Sequence, residues 1–261
     1  MEKRSICWNI TSRCNENCKF CYRIIADNEI SLEKNMEILK VLIELSVDKI
    51  SWTGGEALLY PNLIELLKVA KKNGIKNNLI TNGRELSEEN ICEIASYIDY
   101  LTLSYDSNSD DIHGLMGRGI NHGKHIIEIL DFINDEKINI RIKINTLVSK
   151  MNKSGILDIA NVLKKYQIER WKLFKFIPLR NYAIENKFNF EISDKEFNSI
   201  ILNLKEIYSK SIKIVDCDEK NIQKNYLLIN SLGDFIITEG LKDKKIYNIN
   251  ENNIDILKKY L

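Results

Sequence analysis

The sequence predicts an α/β fold in which parallel β-strands alternate with α-helices. Short apolar segments read as strands, amphipathic segments between them read as helices, and Gly- or Asn-containing turns follow the early strands. Right-handed crossovers on this scale build either a barrel or an open, doubly wound sheet, and the order of elements alone leaves both open. Polar and glycine residues cluster after the first four strands, where barrel enzymes carry their active sites.

The elements are predicted in order along the first two thirds of the chain. The strands are expected at residues 6–11, 49–53, 78–81, 100–104, 139–148 and 171–177. Ser31 and Ser87 are placed to cap the first and third helices. Apolar residues at helical spacing predict further helices at 63–72, 123–134 and 156–166.

The alternation ends after Pro178. Ser193 is placed to cap a helix that runs to about residue 210, and short strand-like pieces follow at 212–215, 226–230 and 235–238. We therefore divide the chain into a core domain at 1–180 and a C-terminal extension at 181–261 that closes the core and its substrate site.

Composition excludes several classes of protein. The hydrophobic fraction is 44%, which supports a sizeable core and argues against disorder. With 38 basic against 37 acidic residues, no overall field favours nucleic acid or an anionic membrane. No segment reads as a signal peptide or a bilayer span. We expect a cytoplasmic monomer that binds neither nucleic acid nor membrane.

Three cysteines crowd together directly after the first strand. Cys14, Cys18 and Cys21 form a C-x₃-C-x₂-C pattern, and thiolates suit zinc or iron–sulfur centres. A structural zinc site closes with four ligands, and no fourth ligand lies nearby in the sequence. Three thiolates on a [4Fe–4S] cluster instead leave one iron open for the amino and carboxylate groups of S-adenosylmethionine (SAM). The alternatives are a zinc knuckle or three thiols that lie together by coincidence.

Further candidates for SAM contacts follow the strands. Phe20 could pack near the adenine or merely anchor the loop, and Gly54-Gly55-Glu56 could offer backbone carbonyls to the SAM amino group or form an ordinary turn. Ser104 ends the fourth strand and could bind ribose hydroxyls. Arg118 suits the SAM carboxylate, and its alternative is an exposed loop charge.

The fifth and sixth strands predict an anion site. Residues at spacing two share one face of a strand, and the isoleucines between them face the other way. Cations that point into a barrel lumen are costly unless they meet an anion, so a polyphosphate or polycarboxylate substrate is expected rather than a solvated edge strand. The residues concerned are Arg141, Lys143, Asn145, Arg170 and Lys172.

The cysteine triplet and Gly54-Gly55-Glu56 resemble the radical SAM superfamily, and further runs are similar to the viperin family within it. These runs are KISWT at 49–53, SYDS at 104–107, GRG at 117–119, KIN at 143–145, RWK at 170–172 and NYLLI at 225–229. The resemblance covers roughly residues 4–240 and implies a partial (β/α)₆ TIM-like barrel with a short C-terminal α+β extension. It also implies a [4Fe–4S] cluster, SAM, and a reductase, flavodoxin or ferredoxin as electron donor.

The same resemblance implies dehydration of a nucleoside triphosphate (CTP, GTP or UTP) to its 3′-deoxy-3′,4′-didehydro analogue, a chain terminator of viral RNA synthesis. Ser104 and Arg118 would hold SAM, and Tyr226 would donate a proton. The triphosphate would be held by Lys143, Asn145, Arg170 and Lys172.

The chain departs from the vertebrate members of that family, because it lacks their amphipathic N-terminus and their Gly-rich basic tail over the phosphates. Two alternatives stay open: a radical SAM enzyme acting on another small anionic metabolite or activating a partner enzyme, and a noncatalytic metal-binding or electron-transfer module.

Overall fold

One mixed β-sheet organises the protein. The computed structural model describes residues 4–219, 227–239, 241–251 and 254–260. The strands are β1 (Ser5–Thr11), β2 (Lys49–Gly54), β3 (Lys76–Thr81), β4 (Tyr100–Ser104), β5 (Arg141–Val148), β6 (Ile168–Lys175), β7 (Ile214–Cys217), β8 (Leu227–Ile229), β9 (Asp234–Glu239) and β10 (Lys242–Asn248). Their order is β10-β9-β8-β1-β2-β3-β4-β5-β6-β7, so β10 and β7 are the edges.

The strand order decides between the two predicted architectures. β1 to β7 lie side by side in chain order, and each pairs parallel with the next. A doubly wound sheet reverses its strand order at a switch point, whereas consecutive order belongs to barrels. The partial TIM-like barrel is confirmed. Past residue 180 the chain adds β7 to one edge of the sheet and β8–β10 to the other; the division at that residue stays a prediction.

The helices pack their buried residues into two apolar clusters, the main core and a smaller cluster around Phe176. They are α1 (Leu32–Glu44), α2 (Leu63–Lys72), α3 (Glu88–Ala95), α4 (Asp110–Met116), α5 (His122–Asp135), α6 (Ile156–Leu163), α7 (Asn181–Glu185), α8 (Lys187–Phe190) and α9 (Asp194–Tyr208). The predicted caps are confirmed: Ser31 accepts a hydrogen bond from the backbone of Lys34, and Ser87 and Ser193 each form a capping box. In the described part of the chain, no helix is long and apolar enough to cross a membrane.

Apart from short 3₁₀ turns, four elements of the described chain were not predicted from the sequence. These are α4, α7, α8 and the strand β10. Each helix is at most seven residues long, too short for an apolar stripe to stand out. In β10 the first four residues are exposed and charged, which suits a strand at the edge of the sheet. The same charges remove the alternation of apolar and polar residues by which a strand is recognised in a sequence.

The two faces of the parallel sheet differ in chemistry. The outward face packs against the helices and carries the core, where Trp8 and Trp52 stack with ring centroids 5.1 Å apart. The inward face is polar: the Asn78 side chain donates to Ser51 (3.1 Å) and accepts from Thr102 (2.7 Å). The predicted outward position of the isoleucines in β5 is confirmed by their burial in the core. The inner face therefore carries hydrogen-bonded polar side chains where the outer face carries the apolar core.

Candidate cofactor and substrate site

The cysteine loop follows β1 and is held by backbone hydrogen bonds on two sides. The amides of Gly55 and Glu56 donate to the carbonyls of Thr11 and Arg13, each at 2.8 Å, which ties the loop to the end of β2. On the other side the Lys19 amide donates to the Met116 carbonyl (2.9 Å) at the end of α4. The loop that bears the thiols is thus fixed before any cofactor binds.

The glycine pair after β2 serves this loop directly. A Cβ atom on Gly54 would lie 2.2 Å from the Thr11 carbonyl oxygen, and one on Gly55 would lie 2.1 Å from that of Arg13. Both contacts are impossible for a real side chain, so only glycine lets the loop approach β2 this closely. The close approach is made by the protein's own backbone. The predicted contact of these carbonyls with SAM stays a prediction.

Glu56 supports a neighbouring loop with its side chain. Its carboxylate is buried and accepts hydrogen bonds from the amides of Leu58 (3.1 Å) and Asn82 (2.8 Å). The Asn82 side chain in turn donates to Asn15 (2.8 Å), inside the cysteine loop. Burial raises the pKa of the Glu56 carboxyl, and these amides act against that rise.

Glu16, between the first two cysteines, is a second buried carboxylate that sequence reasoning missed. It accepts from the Arg84 Nε (2.6 Å) and from the Gly119 amide (2.7 Å). One side chain therefore joins the cysteine loop to the segments after β3 and α4. An acidic residue in a polar loop looks exposed in the sequence, and no pattern marks it as buried.

Arg118 lies buried beside the cysteine loop rather than exposed. Its Nε and Nη2 donate to one oxygen of Asp106 at 2.8 and 2.6 Å, and the other Asp106 oxygen accepts from the Leu147 amide (2.7 Å). Burial acts to lower the pKa of Arg118, but Asp106 and the Cys18 thiol raise it. The guanidinium stays charged and near the cysteines. Its contact with the SAM carboxylate stays a prediction.

The three thiols offer a donor set that fits a [4Fe–4S] cluster. Cys18 is buried and Cys14 and Cys21 are half-buried; burial raises the pKa of Cys18 to about 12 and that of Cys14 above its usual value. Within the described residues, no three His, Cys, Asp or Glu side chains converge on a single ion. A cluster asks for a different arrangement, since each thiolate binds its own iron. Binding would release the thiol protons.

Two further predicted SAM contacts are Phe20, within the cysteine loop, and Ser104, at the end of β4. Phe20 packs its ring against Phe190 with centroids 5.7 Å apart, and the Arg118 guanidinium carbon lies 5.3 Å from the Phe20 ring centre. Ser104 ends β4, half-buried, and pairs in register with Asn145 of β5. These positions leave both the adenine role of Phe20 and the ribose role of Ser104 as predictions.

The predicted anion residues are neighbours on the inner face of β5 and β6. Lys143 pairs in register with Arg170, and Asn145 pairs with Lys172. Lys143 and Lys172 are buried, whereas Arg141, the first residue of β5, is exposed. The Arg170 Nε and the Asn145 Oδ1 are buried, and neither has a hydrogen-bond partner among the described residues. Buried polar atoms without partners indicate groups positioned for a ligand.

The electrostatics of this face favour an anion. Burial, and after it the neighbouring cations Arg170 and Lys49, lower the pKa of Lys143 to about 7. Its ammonium lies 3.1 Å from the centre of the Tyr100 ring. Lys172 contacts the Cys217 thiol through a hydrogen bond and the Phe174 ring at 4.6 Å. Tyr226, the predicted proton donor, lies outside the described residues.

Comparison with known proteins was made on sequence and on structure. The sequence profile of the radical SAM superfamily matches residues 8–163. A relative from Flammeovirga pacifica, named S-adenosylmethionine-dependent nucleotide dehydratase, is 29% identical over 88% of this chain and 81% of its own. A relative of the same name from Thermoplasmatales archaeon (strain ISO4-H5) is 27% identical over 93% of this chain and 86% of its own.

Solved structures show the same fold. Streptococcus suis SuiB bound to S-adenosylmethionine superposes with a TM-score of 0.78 at 15% identity. The match covers 98% of this chain and 65% of SuiB, so this chain spans just under two thirds of that structure's length. At that identity the likeness concerns the fold alone.

Proposed function

Because the chain belongs to the radical SAM superfamily and uses a [4Fe–4S] cluster and SAM, we propose that it is a nucleotide dehydratase. Its substrate would be a nucleoside triphosphate (CTP, GTP or UTP), and its product the 3′-deoxy-3′,4′-didehydro analogue, which would terminate viral RNA synthesis. The observation that carries the proposal is the cationic inner face of β5 and β6, a few strands from the cysteine loop in one barrel. The names of the relatives support the reaction type.

The cofactors would supply one step. When bound, the cluster and SAM provide a 5′-deoxyadenosyl radical that takes hydrogen from an unactivated carbon, here the ribose 4′ carbon. Cys14, Cys18 and Cys21 would bind three irons. Glu16 and the glycine pair would keep their loop in place.

The protein's own residues would position the substrate. Lys143, Arg170 and Lys172 would bind the triphosphate oxygens, and Asn145 would accept or donate beside them. Binding energy from the phosphates, remote from the reacting carbon, would orient the ribose toward the cofactors. Loss of the 3′-hydroxyl as water, followed by one electron and one proton, would complete the reaction. Tyr226 would deliver that proton.

An anaerobic assay of the reconstituted enzyme tests the proposal. CTP, GTP, UTP and ATP are supplied one at a time with SAM and dithionite, and 5′-deoxyadenosine and nucleotide products are measured by mass spectrometry. We expect one triphosphate to stimulate SAM cleavage and to lose one water. If no triphosphate raises cleavage above background, or if the nucleotide product keeps its mass, dehydration is wrong.

The proton donor has its own test. Tyr226→Phe should leave triphosphate binding unchanged and lower the yield of dehydrated product per SAM cleaved. A normal yield would remove Tyr226 from the mechanism. The second candidate, a radical SAM reaction on another small anionic metabolite, uses the same cationic face and predicts stimulation by a different anion.

A further inference from the structure

A second cation, Arg23, lies at the cysteines and contacts Cys21. The Arg23 Nη1 donates to the Cys21 sulfur at 3.5 Å, within the range of a hydrogen bond to sulfur. The Arg23 Nε is buried and has no hydrogen-bond partner among the described residues. In the described part of the chain no carboxylate forms a salt bridge with Arg23, so its nearest anionic groups would be cysteine sulfurs.

The backbone around Arg23 is pinned by the C-terminal half of the protein. The Asn181 side chain donates to the Arg23 carbonyl (2.7 Å), and the Arg180 Nη1 donates to the carbonyl of Tyr22 (3.2 Å). Arg180 is itself held by Asp243 of β10, at 2.6 Å through its Nε. The Arg23 guanidinium carbon also lies 5.9 Å from the centre of the Tyr182 ring.

We propose that Arg23 is an electrostatic partner of the iron–sulfur cluster that makes the cluster easier to reduce. Hydrogen bonds to cluster sulfurs and nearby charge both set the reduction potential of such clusters. Reduction adds one negative charge to the cluster, so a fixed cation stabilises the reduced form more than the oxidised form.

The contrast between the two arginines gives this role its physical basis. Arg118 is paired with Asp106, whose negative charge opposes the effect of Arg118 at the Cys18 sulfur. Among the described residues no carboxylate pairs with Arg23, so its charge at the Cys21 sulfur is not opposed in this way. Arg23 is a positioning and tuning residue, and its role does not depend on which substrate the enzyme takes.

The test is a redox titration of the reconstituted full-length protein, followed by the EPR signal of the reduced cluster, without SAM or nucleotide. Arg23→Gln should lower the equilibrium constant for reduction about tenfold, or roughly 59 mV for one electron. Arg23→Lys, which keeps the charge, should stay within about threefold. The control Arg13→Gln also removes a cation next to a cysteine, but that cation is paired with Glu29 (3.1 Å) and should shift the potential little. Equal shifts in Arg23→Gln and Arg13→Gln, or none, overturn the proposal.

A second measurement does not require the neutral variant to assemble a cluster. Wild-type protein is grown with arginine labelled with ¹⁵N in the guanidinium group, and pulsed EPR of the reduced cluster records coupling to that nitrogen. Coupling is expected in the wild type and in Arg13→Gln, and it should fall in Arg23→Lys to the level that other arginines near the cysteines, such as Arg118, contribute. Its absence from the wild type, or coupling of equal strength in the wild type and in Arg23→Lys, refutes the contact. Because no nucleotide is present, neither outcome bears on dehydration.

Discussion

The cysteine loop and the inner face of β5 and β6 differ in whether their buried charges are paired with charges of opposite sign. Around the cysteine loop, Arg118 is paired with Asp106 and Arg84 with Glu16. On the inner face of β5 and β6, the described residues place no carboxylate in salt-bridge contact with Lys143 or Arg170. Removing one partner of a buried pair is costly, so the loop is a stable frame. The strand face is left electrostatically strained, and an anionic substrate would relieve that strain.

The largest effect should come from the cluster itself. Cys18→Ala removes one of three iron ligands, and we expect the brown chromophore and SAM cleavage to disappear together. Cys92→Ala, which alters an exposed thiol on α3, is the matched control and should reconstitute normally. Iron and sulfide analysis with the absorbance spectrum measures both. A Cys18→Ala protein that still cleaves SAM would remove Cys18 from the ligand set.

The contribution of the buried ion pair beside the cysteine loop to stability can be tested by removing one of its partners. Asp106→Asn leaves the Arg118 charge buried without a carboxylate, which should cost about 3 kcal/mol in the free energy of unfolding. Asp194→Asn is the matched control because it breaks an exposed pair with Lys175 and should cost at most about 1 kcal/mol. Urea unfolding of the apoprotein measures both. If the two variants lose similar amounts of free energy of unfolding, the buried Arg118–Asp106 pair stabilises the protein no more than an exposed pair does.

These two regions also differ in how far the sequence predicts them. The cysteine spacing and the alternation in β5 carry local signals, and the burial of the β5 isoleucines and the register of Lys143 with Arg170 follow the predicted pattern. Arg141 is exposed, and the roles of the thiols and of the remaining cations stay predictions. Glu16, Asp106 and Arg23 act through partners far along the chain or in irregular loops, where no periodicity marks burial. The sequence predicted that Gly54 and Gly55 allow a close approach, but the approach of a ligand. In the structure the backbone of Thr11 and Arg13 makes that approach, and the sequence alone cannot indicate which group will come close.

The strand face is tested through substrate binding. Lys172→Ala should raise the Michaelis constant for the triphosphate about tenfold or more while the cluster content stays normal, since a charge-assisted contact is lost. Lys175→Ala is the control on the same strand, because its ammonium pairs with Asp194. Steady-state kinetics with the preferred triphosphate separate the two variants. An unchanged Michaelis constant in Lys172→Ala would exclude it from the anion site and weaken the contrast between the two regions.

The smallest effect concerns the proton on Lys143. Its pKa in the folded protein is about 7, lowered by burial and by Arg170 and Lys49, whereas in the unfolded chain it lies near 10.5. Between these values the unfolded chain holds a proton that the folded protein lacks, so stability should rise with pH above 7. Below pH 7 both states are protonated, and the full cost of burying the cation remains.

Lys143→Met removes this titration, so its stability should depend less on pH between 7 and 9 than that of the wild type. The exposed Lys40→Met on α1 should behave like the wild type. A bound triphosphate favours the charged amine, so the wild type should take up a proton on binding, and its affinity should fall as pH rises through this range. Urea unfolding and calorimetry in buffers of different ionisation enthalpy measure the two effects. If the wild type and Lys143→Met have the same pH dependence of stability and of triphosphate binding, Lys143 is not an unfavourably buried cation. The proposed contrast between the strand face and the cysteine loop would then be wrong.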